Sequence, residues 1–204
     1  MNAKITGAGL ALAMLTMAAS PASAEEPVAP TSAVAPKPPF VAPDFAVPMS
    51  AEGPGFKLVP FSPALAKIDY AAYMSSIEHL QTTFSRTTEW PREGITDEDA
   101  IKDMEGEQAR FVARRAFDYS VQTPDGSREI GSVYITPSPV PAYDAVVRMW
   151  VTKADYDAGV DAQLYQWVQD WVKAEWPFAK VAYPGRSIDW ATWDAMVPPR
   201  KPGG

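Results

Sequence analysis

From Phe56 to Met196 the hydrophobic positions switch between a period of two, which marks strands, and a period near 3.6, which marks helices. Phe56-Lys57-Leu58-Val59-Pro60-Phe61 reads as a short strand. Ser62 can cap a helix and Pro63 suits its first position, so Ala64 to Leu80 is expected to be helical, with a break near Ser75-Ser76. A second helix is expected from Thr96, whose hydroxyl can accept from free backbone N–H groups. Asp97, Glu98 and Asp99 complement the positive end of its dipole. Ile101, Met104, Gln108, Phe111 and Val112 predict its mostly apolar face.

Phe117 to Thr123 alternates, Pro124-Asp125-Gly126-Ser127 signals a turn, and Arg128 to Thr136 is a second strand, so the pair reads as a hairpin. Pro137 to Pro141 forces a loop. The strand Tyr143 to Thr152 carries Ala145, Val147, Met149 and Val151 on one face and Val146, Arg148 and Trp150 on the other, which suits a central strand covered on both sides. Asp161 to Glu175 then places Leu164, Trp167, Val168, Trp171 and Val172 on one helical stripe. Lys180 to Tyr183 is a short strand ended by Pro184-Gly185, which makes residues 143 to 183 a parallel βαβ crossover. Ser187-Ile188-Asp189 leads a last helix bearing Trp190, Trp193 and Met196. The elements run β, α, α, β, β, β, α, β, α.

The ends have a different composition. Lys4, an apolar run from Gly7 to Ala19 and Ala22-Ser23-Ala24 predict an export signal over residues 1–24, too short and small-residue-rich for a good spanning helix. The mature chain is therefore expected in the periplasm or secreted, with no transmembrane span. Residues 25–49, with prolines at 27, 30, 36, 38, 39 and 43, predict an extended Pro/Ala-rich linker, followed by a domain at 50–199 and a tail at 200–204.

Removing Lys4 from 18 basic residues leaves 17 against 25 acidic ones, a net charge of about −8. That disfavours nucleic acid and anionic membrane surfaces as partners. The chain has no cysteine and one histidine, His79, so thiol chemistry is excluded, no metal site is expected, and a histidine triad would need unusual substitutes.

The segments SSIEHL (75–80), WPREGIT (90–96), FDYSVQTPDGSREIGSVYITPSP (117–139), VVRMWV (146–151) and WPFAKVAYPGR (176–186) carry a resemblance, over nearly all of residues 56–196, to bacterial proteins of the GNAT superfamily of acyl-CoA-dependent N-acyltransferases. The resemblance implies an α/β (α+β) fold with a mixed, largely antiparallel central sheet flanked by helices and a C-terminal βαβ crossover. It implies acetyl-CoA as co-substrate and a small-molecule amine as acceptor. The strands at 143–152 and 180–183 would splay around the pantetheine arm, with Trp150, Val151, Thr152, Lys153 and Gly159 at the cofactor. His79 or Glu78 would deprotonate the amine and Tyr183 would protonate the leaving thiolate; Glu89 and Glu93 are further possible bases.

The pyrophosphate turn of that superfamily reads Gln or Arg, two residues, Gly, one residue, Gly or Ala, because converging N–H groups need close approach. Here Thr152 to Gly159 offers one glycine, with Asp155, Asp157 and Asp161 nearby and Lys153 as the compensating charge. A like charge about 4 Å from the phosphate costs about 1 kcal/mol in bulk water and more near protein. Asp157 or Asp161 is expected instead to cap the following helix. Export adds a second conflict, since acyl-CoA is cytosolic.

Two functions therefore stay open: an exported N-acyltransferase with a degenerate cofactor turn, or a non-catalytic periplasmic binding or scaffold domain. For single residues the alternatives are a lone surface imidazole at His79 and a core aromatic at Tyr183. The seven tryptophans serve either packing or a flat aromatic cleft, which Tyr143, Arg148 and Arg186 could help line.

Overall fold

The two runs that alternate most regularly do form a hairpin: Phe117–Gln122 (β3) pairs antiparallel with Glu129–Pro137 (β4). In the computed structural model, which describes residues 40–199, this hairpin sits at the centre of a six-stranded sheet. The expected export signal, residues 25–39 of the expected linker and the tail 200–204 lie outside the described residues. Ala51–Gly53 (β1) and Phe56–Pro60 (β2) join β3 on one side; Ala145–Val151 (β5) and Val181–Ala182 (β6) join β4 on the other. All pairs are antiparallel except β5–β6, so the sheet is mixed, largely antiparallel and closed by the crossover the sequence predicts.

Each face of β5 goes where its alternation sends it. Ala145, Val147, Met149 and Val151 enter the main core with Phe117, Tyr119, Val133 and Ile135. That face is covered by Val160–Glu175 (α5), which buries Leu164, Val168, Trp171 and Val172. Trp176 joins them, packing against Phe117 at 4.9 Å between ring centres and against Trp171 at 5.8 Å. Trp150 and Val146 point to the opposite face, into two smaller clusters.

That opposite face is covered by Ala66–Met74 (α1) and Asp97–Val112 (α3) and is unusually polar for a buried surface. Asp118, Ser120, Gln122, Glu129 and Ser132 are all buried. Ser120 and Ser132 donate to the Glu129 carboxyl at 2.7 and 2.9 Å, and Gln122 donates to Ser120 at 3.0 Å, which limits the desolvation cost.

Several boundaries differ from expectation. The first helix is a 3-10 turn (Pro63–Leu65), α1, then Ile77–Leu80 (α2) after the predicted break, continued by a π turn at Gln81–Ser85. Thr96 caps α3 as expected, in a capping box with Asp99. The buried stripe of α3 is Ala100, Met104 and Phe111, with Glu107 half-buried between; Ile101 and Val112 are 43% and 76% exposed. Met104 and Phe111 are buried as expected, but the centre of the face lies about 60° from the expected one, towards Ala100 and Glu107. A short helix, Lys153–Asp157 (α4), occupies the turn before α5. Asp189 caps the last helix, Trp190–Met196 (α6), by accepting from Thr192 N at 2.9 Å.

Of the expected linker, the described residues 40–49 lie against the domain. Phe40 N donates to Arg114 O, its ring stacks 4.7 Å from Phe178, and Val41 is buried. Arg114 donates to the carbonyls of Ala42 and Phe45, and Tyr119 donates to Pro48 O at 2.8 Å. Among the described residues no helix is long and apolar enough to cross a membrane.

Candidate functional site

The parallel pairing of β5 with β6 stops after two residue pairs, Ala145 with Val181 and Val146 with Ala182. β5 continues for five more residues, while the chain after β6 turns away at Pro184-Gly185. Gly185 is required there: its φ is 76°, and a Cβ would stand 2.6 Å from the Trp190 ring. The two strands therefore part, and a cavity of about 90 Å³ opens along Val147–Val151, walled by His79, Tyr156, Asp161 and Arg186 among others.

The turn leading from β5 to the helices is held by charge pairs. Thr152 caps α4 by accepting from Asp155 N at 3.2 Å and donates to the Asp155 carboxylate at 2.5 Å. Arg128, from the β3–β4 turn, grips the same carboxylate with both terminal nitrogens, at 2.6 and 3.0 Å. Burial works to raise the Asp155 pKa, but these bonds and the Arg128 charge hold it below the usual carboxylate range. Lys153 pairs with Asp157 at 2.5 Å one turn on, and its backbone N–H is taken by Ser76 Oγ at 2.9 Å.

Gly159, with φ 83°, precedes α5. Asp161 in the first turn of α5 pairs with Arg186 through both guanidinium nitrogens, the Nη2 contact being 2.6 Å. This pair ties the first turn of α5 to the loop after β6, and both residues line the cleft. Tyr165 lies under the guanidinium, 5.5 Å from its ring centre. The Asp161 hydrogen bond raises the pKa of Arg186 above its usual value.

Neither Asp157 nor Asp161 caps a helix, contrary to expectation, because Thr152 and Gly159 occupy those positions. The three aspartates of the turn are instead matched by three cations, Arg128, Lys153 and Arg186. Lys153 is not the only compensating charge.

Of the candidate catalytic residues, His79 is half-buried on the cleft wall, its ring 4.9 Å from Tyr156. Burial, then the nearby Lys153 charge, holds its pKa below the ordinary histidine value. Glu78 is exposed and does not line the cleft. Tyr183 packs against Tyr165 at 5.7 Å in the main core, on the α5 side rather than in the cleft, and burial raises its hydroxyl well above the usual tyrosine value.

Of the candidate cofactor residues, Trp150 and Val151 line the cleft, Thr152 and Lys153 are occupied as described, and Gly159 is exposed with open space around its Cα. Trp150 directs its indole N–H to Tyr134 Oη at 3.2 Å. Arg148 and Arg186 line the cleft, whereas Tyr143 packs on Trp193. Trp190, one of the seven tryptophans, also lines it, as do Tyr156 and Thr83, which no motif marked.

No protein-family model matches the chain, and no curated protein matches it in sequence. Among solved structures, a ribosomal-protein-serine acetyltransferase homologue from Vibrio cholerae is 14% identical, with TM-score 0.48, 64% of this chain and 68% of that one covered. The ribosomal-protein-S5-alanine acetyltransferase of Vibrio fischeri is 16% identical, with TM-score 0.47 and coverage of 60% and 66%. The microcin C7 self-immunity acetyltransferase, solved with acetyl-CoA and AMP, is 12% identical, with TM-score 0.44 and coverage of 60% and 65%. At such identities the likeness concerns architecture alone.

Proposed function

We propose that this chain is a ligand-binding domain of GNAT-like architecture that does not hold coenzyme A at the start of α5, because its own Asp161–Arg186 pair fills that position. One observation carries the reading: the bidentate pair joins the first turn of α5 to the loop after β6, and both of its residues line the β5–β6 cleft. If Gly159 is set on the first glycine of the superfamily's pyrophosphate pattern, Tyr156 stands at the Gln/Arg position and Asp161 at the final Gly/Ala. A carboxylate there takes both the space and the favourable electrostatics that a phosphate would use.

Thermal unfolding with acetyl-CoA is the test. A ligand bound only by the folded protein at a hundred times its Kd stabilises by about 2.7 kcal/mol, so a transferase would show a clear rise in Tm at millimolar acetyl-CoA. The expected result is no shift. A saturating rise would overturn the proposal.

A second reading, acyl transfer to a small-molecule amine, is favoured by the edge of β5 at Val147–Val151 beside His79, which pairs with no strand on that side among the described residues and could pair with an amide-bearing chain. Under that reading acetyl-CoA is the co-substrate and His79→Ala abolishes turnover. Export of the domain is likewise a proposal, supported by the composition of residues 1–24 and by a function that needs no cytosolic thioester. Protein recovered from the cell envelope starting at Glu25 would support it; full-length protein confined to the cytosol would not.

A further inference from the structure

Between the end of the π turn and α6 lies a second cavity of about 360 Å³, a size suited to a small ligand. Its walls hold two guanidiniums, Arg86 and Arg148, and two indoles, Trp190 and Trp193. Trp190 is shared between the cations: Arg86 lies 4.5 Å and Arg148 5.4 Å from its ring centre. We propose that this cavity binds a small aryl carboxylate, with the carboxylate on Arg148 and the aryl ring against the indoles.

The two arginines differ in what answers their charge. Arg86, in left-handed backbone with φ 60° just after the π turn, gives both terminal nitrogens to Asp194 at 3.0 and 2.7 Å. Arg148, on β5, lies over the Phe84 ring at 4.3 Å as well as over Trp190. Its Nη2 donates to Phe84 O and its Nε is buried with no acceptor. Among the described residues no carboxylate pairs with Arg148, whereas Arg86, Arg128 and Arg186 each have an aspartate.

A half-buried cation with no anion carries an uncompensated desolvation cost. Burial, the largest influence, lowers the pKa of Arg148 from its ordinary value; the Tyr134 phenol opposes this and the Arg86 charge adds to it. The two rings recover part of the lost hydration and fix the guanidinium plane, so a carboxylate would meet a preset fork. Phe84 O is an acceptor without charge; a ligand carboxylate would supply both. A monoanion suits the site better than a phosphate dianion, because Asp194 stands in the same wall and repels each further negative charge. The inference concerns the α6 side of Arg148 and stands whether or not the start of α5 takes coenzyme A.

Calorimetric titration of the folded chain with phenylacetate, with 2-phenylethanol and with inorganic phosphate is the test, run beside Arg148→Gln and Asp194→Asn and with near-UV circular dichroism to verify folding. Saturable phenylacetate binding is expected, weakened tenfold or more by Arg148→Gln and not given by phenylethanol. Asp194→Asn removes the competing charge and frees Arg86, so it should tighten phenylacetate at least twofold. No saturable phenylacetate binding at millimolar concentration, equal binding of phenylethanol, or tighter binding of phosphate would overturn the proposal. The Asp194 side chain is 51% exposed, so its variant decides the matter even if Arg148→Gln fails to fold; unchanged or weakened affinity there would count against the site. Acetyl-CoA, titrated separately, reports on the start of α5 and not on this cavity.

Discussion

Replacing Glu107 by Gln should flatten the pH dependence of stability in a direction fixed by its surroundings. Burial is the largest influence on this side chain, followed by the charges of Asp118 and Asp69; Arg110 opposes them, and the carboxyl titrates near 8 rather than at its ordinary 4.5. Between those values the unfolded chain has released a proton that the native protein keeps. Stability is therefore full below about pH 4.5 and is lost as pH rises towards 8. One proton is worth about 1.4 kcal/mol per pH unit, so from pH 5 to pH 7 Glu107 alone can remove up to about 3 kcal/mol. Relaxation and water entry bring the expected value to about 1–3 kcal/mol. Asp69 and Asp118, pushed up to about 7 and about 6 mainly by burial, act with the same sign. Urea unfolding of wild type and Glu107→Gln at pH 5, 6, 7 and 8 measures the effect, and the variant should gain on wild type by that amount as pH rises. Parallel curves would refute the reasoning.

Gly131 on β4 lies so close to β5 that a Cβ would stand 2.0 Å from Trp150 O and 2.8 Å from Val151 Cα. Gly131→Ala should cost at least about 1–3 kcal/mol, read as a lower urea midpoint with unchanged m; a change within about 0.5 kcal/mol would contradict the close approach. Removing one partner of a fully buried ion pair costs about 3–5 kcal/mol, but the Asp161 and Arg186 side chains are 12% and 25% exposed. A double-mutant cycle with Asp161→Ala and Arg186→Ala should therefore give a coupling of about 2 kcal/mol, and a coupling near zero would show that the pair does not tie α5 to the loop after β6.

The elements that could be read from the sequence were those whose signal is local. The alternation of β5 sorted its side chains correctly because period two admits only two faces, and the Thr96 cap and the Pro124–Ser127 turn lie within a few residues of the groups they satisfy. β1, Ala-Glu-Gly, has no apolar pattern and exists because Pro54-Gly55, with φ 84° at Gly55, folds it onto β2. α3 misled because Ile101 and Val112 are apolar yet exposed, while the half-buried Glu107 looks like a surface residue. Residues 40–49 have the composition of a spacer, and the signal against that was Phe40 and Phe45 among small residues.

The site was the least legible part. Arg128 reaches Asp155 across 27 positions and Arg186 reaches Asp161 across 25. From sequence, three aspartates in a turn read as compensated by Lys153 alone, because the partners of Asp155 and Asp161 are supplied by a different hairpin and by the loop after β6. Arg86, Arg148 and the indoles of the second cavity likewise come from elements far apart in the chain, and no spacing rule links them.

The central claim is that the start of α5 is occupied from within. Calorimetric titration of acetyl-CoA into the wild type and into Asp161→Gly tests it most directly. The account predicts no saturable binding to the wild type at millimolar concentration, with any gain confined to the variant, whose helix end is opened and whose Arg186 is freed. Saturable binding to the wild type, unchanged or weakened by Asp161→Gly, would contradict it.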